Sequence, residues 1–411
     1  MFKNRPLLLI YLLVFIDVTV GSATGPVRPQ FVKGLSNPEL WLAVGTALFQ
    51  GVQLISAPLL GSLSDRYGRK PLVILSSAGT LVANVLLLPV RAWAFFTNRI
   101  SDGLTNGMYG LMRSSVTDLS SKEDLAKNSG YISTLVSLGG VFGPMVSGVA
   151  LAFTRNPTRQ VTLVVWTIIG LSALNVALSW FMAEPSAKQK DTKNEDKPAP
   201  PDRAAVWQAV RDNLNVALLW KRLSDKEKTH SGVRFITILM LLITLHQGYL
   251  TYFITYLELG PLKLSAQQTA YFFAYFGGMS ALTNFLYFKF LVDIDKINRR
   301  TMLIIAAFVG AGLHILYANV GDNLWLLCGA VAIDTLTISL GSGLLNGFFA
   351  NLTGDDDRGE LVGLNQALTG VASLLTTLIY GGLSTINLSL PFYWFAASLV
   401  ALGVLCWRLK E

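Results

Sequence analysis

Five ionisable side chains stand where a chain of this composition has least use for them. Asp17 lies in "LLVFIDVTVG", Arg99 and Asp102 in "FFTNRISDGLTNG", His246 in "LLITLHQGYL" and Asp334 in "GAVAIDTLTISL", with Asn106 and Gln247 beside them. A carboxylate or an imidazole inside an apolar run can take a proton from one side and give it to the other, and an arginine there can neutralise an acid or hold an anion. Where such a run crosses a bilayer, a charge near the midplane costs at least about 2.5 kcal/mol, so each residue needs a partner, a water-filled passage or a proton. No glycine-lysine phosphate loop, no His-Glu-x-x-His pattern and no nucleophile–base pairing accompanies them. The sequence therefore predicts no enzyme, no cofactor and no metal, and a process driven by gradients. Cys328 and Cys406 lie in different apolar segments and form neither a disulfide framework nor a thiol metal site.

The elements that must position these residues follow from composition. Of 411 residues 52% are hydrophobic and 14% charged, against roughly 25% charged in a soluble domain. Twelve apolar segments, at 6–30, 41–63, 71–90, 93–117, 130–153, 161–183, 234–257, 267–292, 301–320, 323–350, 360–385 and 389–407, are mostly long enough to cross a hydrocarbon core about 30 Å thick. Backbone in lipid must satisfy its own hydrogen bonds, so they are expected as helices. The expected fold is an all-α membrane protein of twelve transmembrane helices in two pseudo-symmetric six-helix bundles, 1–183 and 234–411, joined by a cytoplasmic linker, 184–233. Asp17, Asp102, His246 and Asp334 then fall on helices 1, 4, 7 and 10, the first of each three-helix repeat.

The N-terminal "MFKNRPLLLIYLLVFI" has the basic and apolar parts of a signal peptide without a small-residue cleavage site, and reads as an uncleaved first helix. The formal charge of +8 partitions by side: Lys3, Arg5, Arg66, Arg69 and Lys70 fall on inner segments, and few basic residues, such as Arg91 and Lys263, on outer ones. That asymmetry places both termini in the cytoplasm and assigns the charge to topology rather than to nucleic acid. In the linker, the segment to about Asp202 is rich in Lys, Asp and Pro and is expected to be flexible. Beyond it, Val206, Trp207, Val210, Leu214, Ala217 and Leu218 recur on one helical face, predicting an amphipathic helix that lies in the membrane interface or packs on the bundle.

Between the second and third segments stands "GSLSDRYGRKP", and after the eighth stands "KFLVDIDKINRR", acidic and then doubly basic again. Lipid-facing polypeptide has no use for Asp65, Arg66, Arg69 and Lys70, so the first is expected at the cytoplasmic surface, with Asp118 as partner for Arg69 and the start of helix 11 near residue 360 as partner for Asp65. The stretch resembles the cytoplasmic loop signature of the major facilitator superfamily at Gly61, Leu63, Asp65, Arg66, Gly68, Arg69 and Lys70. That resemblance implies a membrane transporter whose loop locks the outward-open state. Helix 1 resembles that of the tetracycline-exporter-like drug:proton antiporters at Asp17, Gly21, Pro26 and Pro29, and helix 4 at Arg99, Gly103 and Gly107. Helix 5 matches their glycine-proline signature at Gly139, Gly143, Pro144 and Gly148, with Ser147 in place of one glycine, and is expected to bend and approach a helix of the other half. Helix 9 lacks the carboxylate those exporters carry, so tetracycline itself is not implied.

The expected function is proton-coupled export of small amphiphilic organic compounds by alternating access, the alternative being proton-coupled uptake of an organic nutrient or anion. Asp17, Asp334, Asp102 and His246 are the proton-coupling candidates, although Asp17 would alternatively cap a local helix break or pair with Arg99. Arg99, Asn106, Gln247, Tyr249, Tyr252 and Arg28 are the candidates for the substrate cavity, although Arg28 would also serve as an interface anchor and aromatic rings are ordinary packing. A monomer in the bacterial inner membrane, surrounded by lipid, is expected.

Overall fold

The computed structural model describes residues 5–121, 124–185, 203–286, 298–352 and 358–409, and among these all regular structure is helical. The first half contains α1 (Arg5–Ala23), a 3-10 turn (Gly25–Val27), α2 (Arg28–Val32), α3 (Pro38–Tyr67), α4 (Arg69–Val85), α5 (Ala92–Thr105), α6 (Met108–Leu119), α7 (Leu125–Ala152) and α8 (Pro157–Trp180). Two linker helices follow, α9 (Arg203–Leu214) and α10 (Val216–Lys226). The second half contains α11 (Val233–Gln247), α12 (Tyr249–Leu259), α13 (Ala266–Leu286), α14 (Arg299–Asn319), α15 (Leu324–Leu352), α16 (Arg358–Ile386) and α17 (Leu390–Cys406).

Eight of these stretches are long and apolar enough to cross a membrane by length and composition. The other predicted spans fall short for local reasons. Span 4 is divided between α5 and α6 at Asn106–Gly107, α4 and α17 have 17 residues each, and span 8 runs into residues 287–292, outside the described residues. Spans 1 and 7 also break. Pro26, which has no N–H to give, sits in the 3-10 turn after α1, and Gly248 separates α11 from α12. Thr376 on α16 donates to the Leu245 carbonyl at 2.9 Å, so the break in span 7 is satisfied from a neighbouring helix.

Packing divides the chain into two compact units, Met1–Leu35, Leu48–Arg211 and Ala266–Ala274 in unit 1, and Ser36–Ala47, Asp212–Ser265 and Tyr275–Glu411 in unit 2. Unit 1 is built on the buried side chains of Ile10, Leu13, Val14, Val73, Met108 and Met112. Unit 2 is built on Leu239, Leu303, Leu345, Leu361 and Leu402, together with Leu219 and Leu223 of α10.

The linker differs from the single amphipathic helix expected. Asn215 interrupts it, its side chain accepting from the Leu218 amide at 3.1 Å, and the interruption resets the helical register. Trp207 and Leu214, expected on the apolar face, are exposed, while Leu219 and Leu223, one turn apart, are buried in unit 2. Lys226 closes the contact on Glu360 at 2.7 Å. α10 is thus packed on the bundle. Leu223→Ala should destabilise that docking by about 2–5 kcal/mol, and limited proteolysis within 216–226 should become markedly faster while the spans stay protected. The linker segment expected to be flexible, 186–202, and most of the second acidic-basic motif, 287–297, lie outside the described residues.

Candidate functional site

In unit 1 the broken helix positions one group of polar residues. The turn at Asn106 is held from α3, where Gln53 donates to the Asn106 carbonyl at 3.2 Å and Ser56 to the Gly103 carbonyl at 2.5 Å. One turn before the break, Asp102 accepts from Thr80 of α4 at 3.1 Å. Asp17 of α1 is close enough to Asp102 for their charges to interact, and its Oδ1 is buried without a hydrogen-bond partner. Two acids therefore lie within electrostatic reach of each other, one of them with an unsatisfied oxygen.

Arg99 does not pair with either acid within salt-bridge distance among the described residues. Its Nε donates to Asn98 at 2.8 Å, and its guanidinium lies over Phe49 and Phe95, 5.6 and 5.8 Å from the ring centres. It is 8% exposed, so it is a buried cation held by an amide and two aromatic faces. Arg28, expected at a substrate entrance, folds back on α1, donating to Thr24 at 2.9 Å and to the Gly21 carbonyl at 3.2 Å. It satisfies the Gly21 carbonyl, which the helix end leaves open.

The glycine-proline run of α7 lies against α1 at its first two glycines. A Cβ on Gly139 would meet Val18 and the Phe15 carbonyl, and one on Gly143 would fall on Ser22 and the backbone of Thr19 and Ala23. Ser22 donates to the Gly139 carbonyl at 2.9 Å, and Ser147 donates to the Ala23 carbonyl. The serine that replaces a signature glycine thus ties α7 to the end of α1. Gly148 faces Ala270 and Tyr271 at the start of α13, and Pro144 stands inside α7 one residue from the tightest approach.

Unit 2 holds a second group. Asp334 of α15 is fully buried and accepts from Tyr249 at 2.7 Å, Tyr317 at 3.1 Å and Thr337 at 2.9 Å. His246 stacks on Tyr249 with ring centres 4.9 Å apart and meets His314 edge-on at 4.6 Å. Gln247 donates to Ser342 of α15 at 3.0 Å. Tyr249 and Tyr252, expected to line a substrate cavity, lie inside unit 2, 0% and 1% exposed, with Tyr252 donating to the Leu388 carbonyl. They organise buried polar groups instead of offering free rings.

The charged loop is tied into a network of ion pairs and hydrogen bonds. Arg69 donates to Asp118 at 3.0 Å, Asp65 at 2.6 Å and Ser64 at 2.5 Å, and Arg66 lies over Tyr67. Asp65 therefore pairs with Arg69, while Glu360 near the start of helix 11 takes Lys226. Burial works to lower the Arg69 guanidinium, but its bond to Asp118 and the charges of Asp118 and Asp65 lift it above its ordinary value. A cation raised above its unfolded value stabilises fully below that value and stops doing so only as pH rises through the folded one. The pairing is therefore expected to be insensitive to pH between about 5 and 9.

Glu184, just past α8, supplies a contact that no sequence pattern announced. Its carboxylate accepts the amides of Arg69 at 2.8 Å and Lys70 at 3.0 Å, closing the N-terminus of α4. Gly68 is required twice over, by its φ of 98° and because a Cβ there would lie 2.5 Å from Glu184 Oε2. Gly61, by contrast, has open space around its Cβ position. Glu184→Gln should weaken this cap by about 1 kcal/mol, which is about a fivefold faster hydrogen exchange at Arg69 and Lys70; unchanged exchange would remove Glu184 from the cap.

The structure thus brings Asp17 together with Asp102, and His246 with Asp334, in separate units. His314 and Tyr317 were missed, although a lone histidine in "TMLIIAAFVGAGLHILYANV" carries the same signal that singled out His246.

The family profile described as Major Facilitator Superfamily matches residues 7–294. The tetracycline resistance protein, class C, of Escherichia coli is 26% identical over 202 residues, 48% of this chain and 48% of that protein. The chain therefore matches about half the length of that relative. The quinolone resistance protein NorA of Staphylococcus aureus (strain MRSA252) is 22% identical over 414 residues, 95% of this chain and 92% of that one. The crystal structure of a D-xylose-proton symporter superposes with a TM-score of 0.72 at 15% identity, covering 99% of this chain and 97% of that one; it shows the fold.

Proposed function

The chain belongs to the Major Facilitator Superfamily, and from that premise we propose that it is a proton-coupled exporter of small amphiphilic organic compounds working by alternating access. The observation that carries this reading is the seam between α1 and α7. Gly139, Gly143 and Ser147 bring α7 against α1, the helix that bears Asp17 with its unsatisfied oxygen. The relatives named for tetracycline and quinolone resistance support export, at low identity. In this reading 1–183 and 234–411 are the two halves that alternate, the latch around Arg69 holds the inner face, and both termini lie in the cytoplasm of a bacterium.

The sequence of events is exchange. Protonation of Asp17 from outside removes a membrane-embedded charge and permits the carrier to turn inward. Release of the proton inside then makes room for a cationic or neutral amphiphile, which the ionised acid accompanies outward. Arg99 motivates the second reading, uptake of an organic anion, because it is a buried guanidinium without a carboxylate within salt-bridge distance among the described residues.

Reconstitution in vesicles with an imposed pH gradient decides between them. Internal pH and substrate are followed together while compounds are screened. Substrate movement opposite to protons is the expected result, and parallel movement would establish uptake and defeat export.

A further inference from the structure

We propose that unit 2 contains a buried proton-binding site formed by the paired rings of His246 and His314, with Asp334 as its counter-charge. Its purpose rests on the proton-coupled reading above; its existence does not. The argument begins at Asp334, 0% exposed, whose two oxygens accept hydroxyl protons from Tyr249, Tyr317 and Thr337. An ionised carboxylate only accepts, and Oδ2, which takes both tyrosine protons, complements that form, while the one Thr337 proton is shared between Oδ1 and the Asp334 carbonyl, 2.9 Å from each. Hydroxyls do not neutralise a charge, and a buried charge calls for a partner of opposite sign. None of the described ion pairs includes Asp334. The bases packed on the two tyrosines that donate to Asp334 are imidazoles: His314 lies 4.5 Å from Tyr249 and 5.1 Å from Tyr317 between ring centres, and His246 meets His314 at 4.6 Å.

The ring nitrogens point the same way. His314 Nδ1 donates to the Gly310 carbonyl at 2.9 Å, which leaves Nε2 as the acceptor of a neutral ring, and that Nε2 is buried with no partner. His246 Nδ1 is buried and partnerless as well. Adjacent rings with an unsatisfied nitrogen each are costly. One added proton converts one of these acceptors into a donor, gives the pair a single positive charge and balances Asp334.

A small space adjoins the pair. A cavity of about 10 Å³, lined by His246, Thr337, Leu303 and Gly341 among others, has room for about one water. Its lining residues on α14, Leu303, Ala306 and Ala307, lie toward the Arg299 end of that helix, the end that the positive-charge pattern assigns to the inside, while Ile243 and His246 lie at the Gln247 end of α11, in the middle of span 7. The titratable groups in contact with the pair are Tyr249 from α12 and Tyr317 from α14, both bonded to Asp334 of α15, while α17 contributes Phe392 and Phe395, and Tyr380 of α16 packs on Phe395. Among these no lysine or arginine competes for the role of counter-ion.

The chain has three histidines, His230, His246 and His314, so the site can be read directly. Full-length protein labelled with nitrogen-15 at histidine and reconstituted in lipid vesicles would be followed by solid-state NMR from about pH 5 to 8, with His246→Gln and His314→Gln assigning the signals. The expected result is that His246 and His314 change together, sharing one proton, and that Asp334→Asn abolishes the change. Two rings that keep the neutral signature throughout, or that respond alike in Asp334→Asn, would overturn the site; the wild-type series alone decides the first of these outcomes if a variant fails to fold. Gradient-driven transport measured on the same vesicles separates the two readings. Transport that follows the pH gradient with silent rings leaves the exporter and removes this site, and a titrating pair without proton-linked transport does the reverse.

Discussion

Asp17→Asn is expected to abolish accumulation against a gradient while leaving downhill exchange measurable. One proton moved per cycle across one pH unit carries about 1.4 kcal/mol, enough to sustain about a tenfold substrate gradient. A carrier whose acid cannot release its proton has no access to that energy, so the steady-state ratio should fall from about tenfold per pH unit to one. The residue earns this role from its surroundings. Its Oδ1 is buried with no donor, and the nearby charge is that of Asp102, another acid, which takes the Thr80 hydroxyl. The two protonation states of Asp17 therefore differ in electrostatic cost inside unit 1, and a change of orientation that hydrates it can relieve the difference. Asn retains the size and removes the charge, so protein yield and substrate binding should survive. Undiminished uphill transport by Asp17→Asn would transfer the coupling role away from helix 1, and the same measurement on Asp102→Asn tells which member of the pair carries it.

The apolar segments and the mid-membrane charges were legible because each obeys one local rule. A length of about 20 apolar residues spans the bilayer, and an ionisable residue inside such a run needs a reason. Segment ends came within a few residues of the helices for the same reason. What the sequence did not disclose depends on rotation and on distant partners. Asn215 resets the linker helix, so residues projected on one face ended on two. Glu184 looks like the start of a polar linker until its carboxylate is seen on the amides of Arg69 and Lys70, 115 and 114 residues away. Tyr249 and Tyr252 have the composition of a ligand cage, but hydroxyl partners on Asp334 and Leu388 turn them inward. His314 was visible and undervalued, because its meaning comes from a ring on another helix.

Gly143→Val should prevent α1 from seating on α7, and with it the recovery of stable protein. Any Cβ at this position falls on Ser22 and on the backbone of Thr19 and Ala23. A side chain can rotate away, whereas backbone yields only by moving a whole helix, so the cost should reach or exceed about 1–3 kcal/mol even for Gly143→Ala. Gly140 provides the control. It lies in the same helix with nothing within 4 Å of its Cβ position, so Gly140→Ala should be neutral or raise stability by up to about 1 kcal/mol through helix propensity alone. Thermal unfolding of the purified variants, followed by retention of the monodisperse species, should therefore rank Gly140→Ala at or above wild type, then Gly143→Ala, with Gly143→Val lowest. Equal effects at both positions would reduce the seam to general helix packing. The consequence for function is geometric: Asp17 precedes Val18, one of the residues pressed against α7, by one residue, about 100° round the helix. A Gly143→Ala protein that still folds should therefore displace Asp17 relative to Asp102 and lose coupling before it loses substrate binding, because the same seam that holds α1 in place also aims its carboxylate.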